Sequence, residues 1–149
     1  MGHTFTNLLT HVIFSTKGRK PFITPELKPD LLAYAGGIIR QLGGTALLIN
    51  GMRDHVHMLV LMPATASPAE IVKKVKANSS RWVHERTGNA DFAWQAGYAA
   101  FAVSESNRDA VLQYIAGQES HHAKHTFQEE LVAYLRKHHI MYDERYIWS

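Results

Sequence analysis

The sequence predicts one α+β domain: an antiparallel sheet with two helices on one face, followed by two C-terminal helices. Three observations predict it. The length of 149 residues suffices for one core and is short for two domains. Short β-branched and aromatic runs alternate with segments of helical spacing in the order β-α-β-β-α-β. No linker, low-complexity stretch or internal repeat divides the chain. The expected organisation is a single domain over 1–149, with a core at about 6–104 and an extension at about 105–149.

Residues 6 to 15, with Thr10, Val12, Ile13 and Phe14, suit a strand. The basic turn Lys17-Gly18-Arg19-Lys20-Pro21 follows. Leu31, Leu32, Ala35, Ile38, Ile39 and Leu42 recur at helical spacing after Pro29, and Gly43-Gly44 stops that helix. Residues 45–50 and 55–62 form a hairpin around the turn at Gly51 to Asp54. Ser67-Pro68-Ala69-Glu70 opens a helix to about Arg86 that buries Ile71, Val75 and Trp82. A loop leads to a strand over Tyr98 to Val103. Ser106-Asn107-Arg108-Asp109 is expected to cap one helix over about 108–123. Thr126-Phe127-Gln128-Glu129 caps a last helix to about Lys137. The aromatic tail from His138 to Ser149 is expected to pack, with His138 and His139 on the surface. This order is the split βαβ pattern of ferredoxin-like domains, whose second sheet face is expected to be free.

Apolar residues make up 46% and charged residues 19%, which excludes a disordered chain. The absence of cysteine excludes disulfide scaffolds, cysteine zinc sites and thiol catalysis, and suits a reducing cytoplasm. No apolar run reaches a membrane span, and no charged-then-apolar leader opens the chain. A net charge of +3 permits an anionic partner without requiring one. Ten histidines are the unusual feature.

In Asp54-His55-Val56-His57, alternation along a strand puts both imidazoles on one face, about 7 Å apart, with Val56, Met58 and Val60 on the other. Such a pair can hold a divalent metal, or be a polar pair on a solvated face. Tyr114, Gln118, His121 and His125 fall in one helical stripe roughly 60° wide, beside the apolar Val111, Leu112 and Ile115. Either this is an ordinary amphipathic helix, or the phenol and amide sit beside a reactive centre. Candidate phosphate contacts are Lys17, Arg19, Lys20 and Arg53, and Lys73, Lys74, Lys76, Arg81 and Arg86 along the second helix. A solvated face would look the same. Trp82, Trp94 and Tyr98 could stack bases, although tryptophans of this kind are more often core.

Together these residues resemble a family. Asp54-His55-Val56-His57-Met58-Leu59-Val60 is similar to the HUH motif, two histidines around a hydrophobic residue. Tyr114-Ile115-Ala116-Gly117-Gln118 is similar to the downstream tyrosine motif. Phe14-Ser15-Thr16-Lys17, Trp94-Gln95-Ala96-Gly97-Tyr98 and the ending Tyr142-Asp143-Glu144-Arg145-Tyr146-Ile147-Trp148 also fit. The resemblance is to single-tyrosine HUH transposases of the insertion-sequence-200-like family, including REP-associated relatives, and covers essentially the whole chain. It implies a ferredoxin-like or RRM-like fold and strand transfer on single-stranded DNA with hairpins at element ends. It implies Mg²⁺ or Mn²⁺ on His55, His57 and Gln118, with Tyr114 as nucleophile. It also implies a homodimer in which one subunit's tyrosine helix can complete the other's site, in the bacterial cytoplasm. Gly117 departs from relatives that often carry a longer polar residue there, and a mid-helix glycine costs on the order of 1 kcal/mol relative to alanine.

Two rivals stand beside this assignment. A transposase-derived protein that binds single strands without catalysis needs neither metal nor Tyr114. A histidine-triad hydrolase is disfavoured because the third alternate position is Leu59.

Overall fold

The computed structural model describes residues 2–149. Four strands form one antiparallel sheet: β1 (Leu8–Ser15), β2 (Thr45–Gly51), β3 (His55–Met62) and β4 (Ala99–Ala102), in the spatial order β2-β3-β1-β4. Helices α1 (Lys28–Gln41) and α2 (Pro68–Thr87) are the crossovers. After β4 come α3 (Arg108–Ala116), α4 (Gln118–His122) and α5 (Phe127–Lys137). No helix among the described residues is long and apolar enough to cross a membrane.

Strand alternation sorts the side chains into two layers. Val12, Phe14, Val56, Met58, Val60 and Met62 face α1 and α2 and pack on Leu31, Ile39, Ile71, Val72 and Val75. Trp82 is half-buried, stacked on Tyr34 with centroids 5.0 Å apart, and Trp94 donates from Nε1 to Ser79 Oγ at 2.9 Å, so both are packing residues. Tyr98 is 40% exposed.

The other sheet face is covered rather than free. Leu9 and Leu59 pack on Ile115 of α3. Ile13 and Phe101 pack on Phe127, Leu131 and Leu135 of α5, joined by the tail residues Tyr142, Ile147 and Trp148. Large apolar side chains on that face need a second layer to leave water, and the C-terminal helices supply it. His138 is half-buried against Phe101, with centroids 4.4 Å apart, while His139 is exposed.

The expected helix over 108–123 is broken. Its backbone kinks at Gly117 (φ −91°, ψ 21°), which separates α3 from α4. A 3₁₀ turn at Glu105–Asn107 leads into α3, and Asn107 makes no side-chain cap. Asn50 of β2 donates to the carbonyl of Ile115 at 2.9 Å, satisfying a helix-end acceptor and fixing α3 against the sheet. Thr126 and Glu129 make a full capping box at α5, whereas Ser67 contributes its half, accepting from the Glu70 N–H at 3.2 Å.

The turn before β3 is tight. A Cβ at Gly51 would lie 2.2 Å from the carbonyl oxygen of His55, so only glycine fits. At Gly36, inside α1, a Cβ would meet nothing nearer than Ile49 Cδ1 at 3.8 Å. Gly51→Ala is expected to cost about 1–3 kcal/mol of stability, and Gly36→Ala to add about 1 kcal/mol. Chemical denaturation midpoints of the two variants check both signs.

Candidate active site

His55 and His57 project from β3 onto the face under the C-terminal helices, both essentially buried, with ring centroids 5.3 Å apart. Each imidazole is oriented from behind. His55 Nδ1 lies 2.7 Å from Asp54 Oδ1, and His57 Nδ1 lies 2.8 Å from His11 Nε2. On α4, His122 Nδ1 donates to the His125 carbonyl at 2.8 Å. With the Nδ1 atoms engaged, the three Nε2 atoms turn toward one place. His55 and His122 Nε2 are 3.0 Å apart. Glu130 of α5 puts Oε1 among them, at 2.7 Å from His57, 3.3 Å from His122 and 3.5 Å from His55. The Gln118 amide oxygen sits at the edge, 3.0 Å from His122 Nε2 and 3.3 Å from His55 Nε2.

Converging imidazole lone pairs and a buried carboxylate repel unless a cation lies between them. A shared proton or a divalent ion satisfies that demand. The His55, His57 and His122 nitrogens and the Glu130 oxygen lie within 4.8 Å of one another, a donor set that fits a divalent metal.

Tyr114 of α3 stands beside this cluster. Its hydroxyl donates to Glu130 Oε2 and lies 3.2 Å from His121 Nε2. Its ring centroid is 5.7 Å from that of His57. One carboxylate therefore joins the imidazoles through one oxygen and the phenol through the other. Burial, reinforced by Glu130, pushes the phenol well above its ordinary pKa, so it rests protonated. Burial alone would raise Glu130, but hydrogen bonds from His122, His57 and Tyr114 hold it far below the usual carboxylate range. Burial pushes His57 down against the pull of Glu130, and pushes His11 down to about 3. For His122 burial acts downward, but Glu130 prevails and raises it.

Residues 4–118 match the family described as Transposase IS200 like. The chain belongs to that family. It is thus a relative of the single-tyrosine HUH transposases, with metal binding and DNA transposition as the family's traits. Two solved structures are similar. A protein of Deinococcus radiodurans R1 described as a transposase is 26% identical, with a TM-score of 0.64 over 79% of this chain and 96% of that one. A REP-associated tyrosine transposase bound to a REP hairpin is 13% identical, with a TM-score of 0.61 over 82% of this chain and 72% of that one, and shows the shared fold. No curated protein matches the chain.

In this transposase relative the sheet histidines, Tyr114 and Gln118 come together as the sequence suggests. His11, His122 and Glu130 join them without a sequence motif that marks them. His122 follows Gln118 by one helical turn, a spacing visible in the sequence. An unbroken helix, however, would place Tyr114, Gln118, His121 and His125 in one stripe. The kink at Gly117 re-aims the second segment: His121 meets the phenol, His122 meets the sheet, and His125 is exposed. Glu130 carries no local signal, being one of two adjacent glutamates in a polar first turn.

The basic residues divide. Arg19 and Arg53 line a cavity of about 670 Å³ beside His55 and His122, and Lys17 is exposed next to Arg19's turn. Lys73, Lys74 and Arg81 are exposed on α2, with the sheet between them and the histidines. Lys76 turns inward. Its ammonium donates to the carbonyls of Gln95 and Gly97 at 2.9 and 2.5 Å, and burial lowers its pKa to about 8. The side of the molecule that carries the histidine cluster and Tyr114 is therefore not the side of the basic helix.

A divalent ion that binds the folded chain is expected to stabilise it, by about 2.7 kcal/mol at a free concentration about 100 times its Kd. Thermal unfolding of chelator-treated protein, with and without added ion, reads the shift. His57→Ala is expected to abolish it.

Proposed function

We propose that the chain cleaves and rejoins single-stranded DNA at insertion-element ends through a 5′-phosphotyrosine intermediate, with Tyr114 as nucleophile. The observation that supports this most is the phenol's position: it shares the Glu130 carboxylate with His57, inside the candidate metal cluster. His55, His57 and Gln118, with His122 and Glu130 beside them, are the residues that would hold the ion. A bound divalent ion polarises a phosphate oxygen and offsets charge as the phosphodiester is attacked.

The chain's own groups account for the rest. The Tyr114 O–H bond breaks as its oxygen bonds to phosphorus. The bond from phosphorus to the 3′-oxygen breaks, and the departing alkoxide takes up a proton. Two acceptors already flank the phenolic proton, Glu130 Oε2 and His121 Nε2. The new phosphodiester retains the bond's free energy, so a second 3′-hydroxyl can reverse the step without a nucleotide triphosphate. Arg19 and Arg53 stand at the mouth of the neighbouring cavity and suit phosphate contacts that position a strand without reading its bases.

The hairpin held by the REP-associated transposase of the same fold supports hairpin-bearing single strands as the substrate here. Tyr114 reaches the histidines of its own chain, which supports a site assembled within one subunit. In the homodimer we propose, exchange of the tyrosine helix would deliver the same phenol to the partner. The working compartment is the bacterial cytoplasm, where such DNA is found.

Labelled hairpin-bearing single strands incubated with the protein and a divalent ion should yield a protein-linked product on a denaturing gel. Tyr114→Phe is expected to bind DNA and form no adduct; an undiminished adduct would remove Tyr114 from its role. His57→Ala should lose cleavage far more than binding, whereas equal losses would make that histidine structural. Affinity should fall as salt rises, through counterion release at phosphate contacts. Binding by the unaltered chain with no adduct under any divalent ion would favour a transposase-derived binder without catalysis.

A further inference from the structure

The donor atoms at the candidate metal centre are mostly nitrogen. Mg²⁺ is small and hard, keeps its waters, and takes oxygen ligands in near-octahedral surroundings. Imidazoles suit later first-row ions, whose affinities for nitrogen donors rise from Mn²⁺ through Co²⁺. Here three Nε2 atoms face one carboxylate oxygen at 2.7, 3.3 and 3.5 Å. Donor atoms around a four-coordinate ion with bonds of about 2.0–2.1 Å lie roughly 3.3 Å apart, so these groups need move little to close on one. Each imidazole also has its outer nitrogen engaged, by Asp54, His11 or the His125 carbonyl. That backing fixes ring orientation and the ligating tautomer, as outer partners of metal-bound histidines do.

Gln118 is the weaker candidate. Its amide oxygen is neutral and approaches two of the three nitrogens. The Glu130 oxygen is charged, buried, and approaches all three. His122 and Glu130 also lie beyond residues 4–118, the segment that matches the family, so they are features of this chain's C-terminal helices.

We propose that this centre selects an imidazole-preferring ion of the Zn²⁺ or Co²⁺ class over Mg²⁺, with His122 and Glu130 as ligands beside His55 and His57. This rests on the metal centre of the proposed function and departs from the His55, His57 and Gln118 set implied by resemblance. Two ligands come from β3, one from α4 and one from α5. The ion therefore ties both C-terminal helices to the sheet, and its removal loosens them.

The test uses the full chain stripped of metal by a chelator and titrated calorimetrically with Mg²⁺ and Co²⁺. Co²⁺ should bind at least about a hundredfold more tightly than Mg²⁺. Glu130→Gln and His122→Asn should each weaken Co²⁺ by about tenfold or more, and Gln118→Ala by less than either. Equal affinity for the two ions would overturn the proposal. So would a large loss in Gln118→Ala with none in the other two. Where a variant fails to fold by circular dichroism, the visible spectrum of Co²⁺ on the unaltered chain decides. The intense bands of a four- or five-coordinate ion support the proposal, and the weak bands of an octahedral ion overturn it. Failure of the proposed function looks different: the unaltered chain would then bind neither ion and form no adduct.

Discussion

A buried carboxylate holds the second layer of this protein together. Glu130 is almost wholly withdrawn from water, yet it stays ionised because imidazoles and a phenol surround it. An uncompensated charge at that depth would cost several kcal/mol. Strand β3, the kinked α3–α4 pair and α5 must therefore meet at one point. His57 and His122 donate or share protons on one side of the carboxylate, and Tyr114 donates on the other. The same constraint brings a phenol and the candidate metal-binding set together, so one carboxylate serves both the packing of the helices and the geometry of the candidate site.

Apolar packing on both flanks keeps that point dry. Leu9, Leu59 and Ile115 close one side, and Ile13, Phe101, Phe127 and Leu131 close the other. Phe127 also lies against the His55 ring, with centroids 4.6 Å apart. Exclusion of water lowers the local dielectric and strengthens every charged hydrogen bond inside. Access is from the side of the cavity beside His55 and His122, where Arg19 and Arg53 stand. The lysines of α2 lie behind the sheet, and Lys76 there ties α2 to the segment before β4 through backbone carbonyls.

Much of the architecture was written locally. Alternation along β3 places His55 and His57 opposite Val56, Met58 and Val60, because successive side chains on a strand point to opposite faces. The caps at Ser67 and Thr126 announce α2 and α5, since each hydroxyl accepts from a nearby N–H within its own segment. Tyr114 and Gln118, one helical turn apart, were legible for the same reason. Less legible is the covered second face: Leu9, Ile13 and Leu59 share it with the polar His11 and His57, and their helical partners arrive more than fifty residues later.

The sequence by itself determined the succession of strands and helices along the chain, the imidazole pair and the helix that bears the phenol, because each depends on spacing within a few residues. Only the tertiary structure decided which carboxylate and which third histidine join the cluster. Glu130 and His122 earn their places through a kink at Gly117 and the docking of α5 on a distant sheet. Charge compensation in a buried site is a property of three-dimensional neighbours, and no local pattern encodes it.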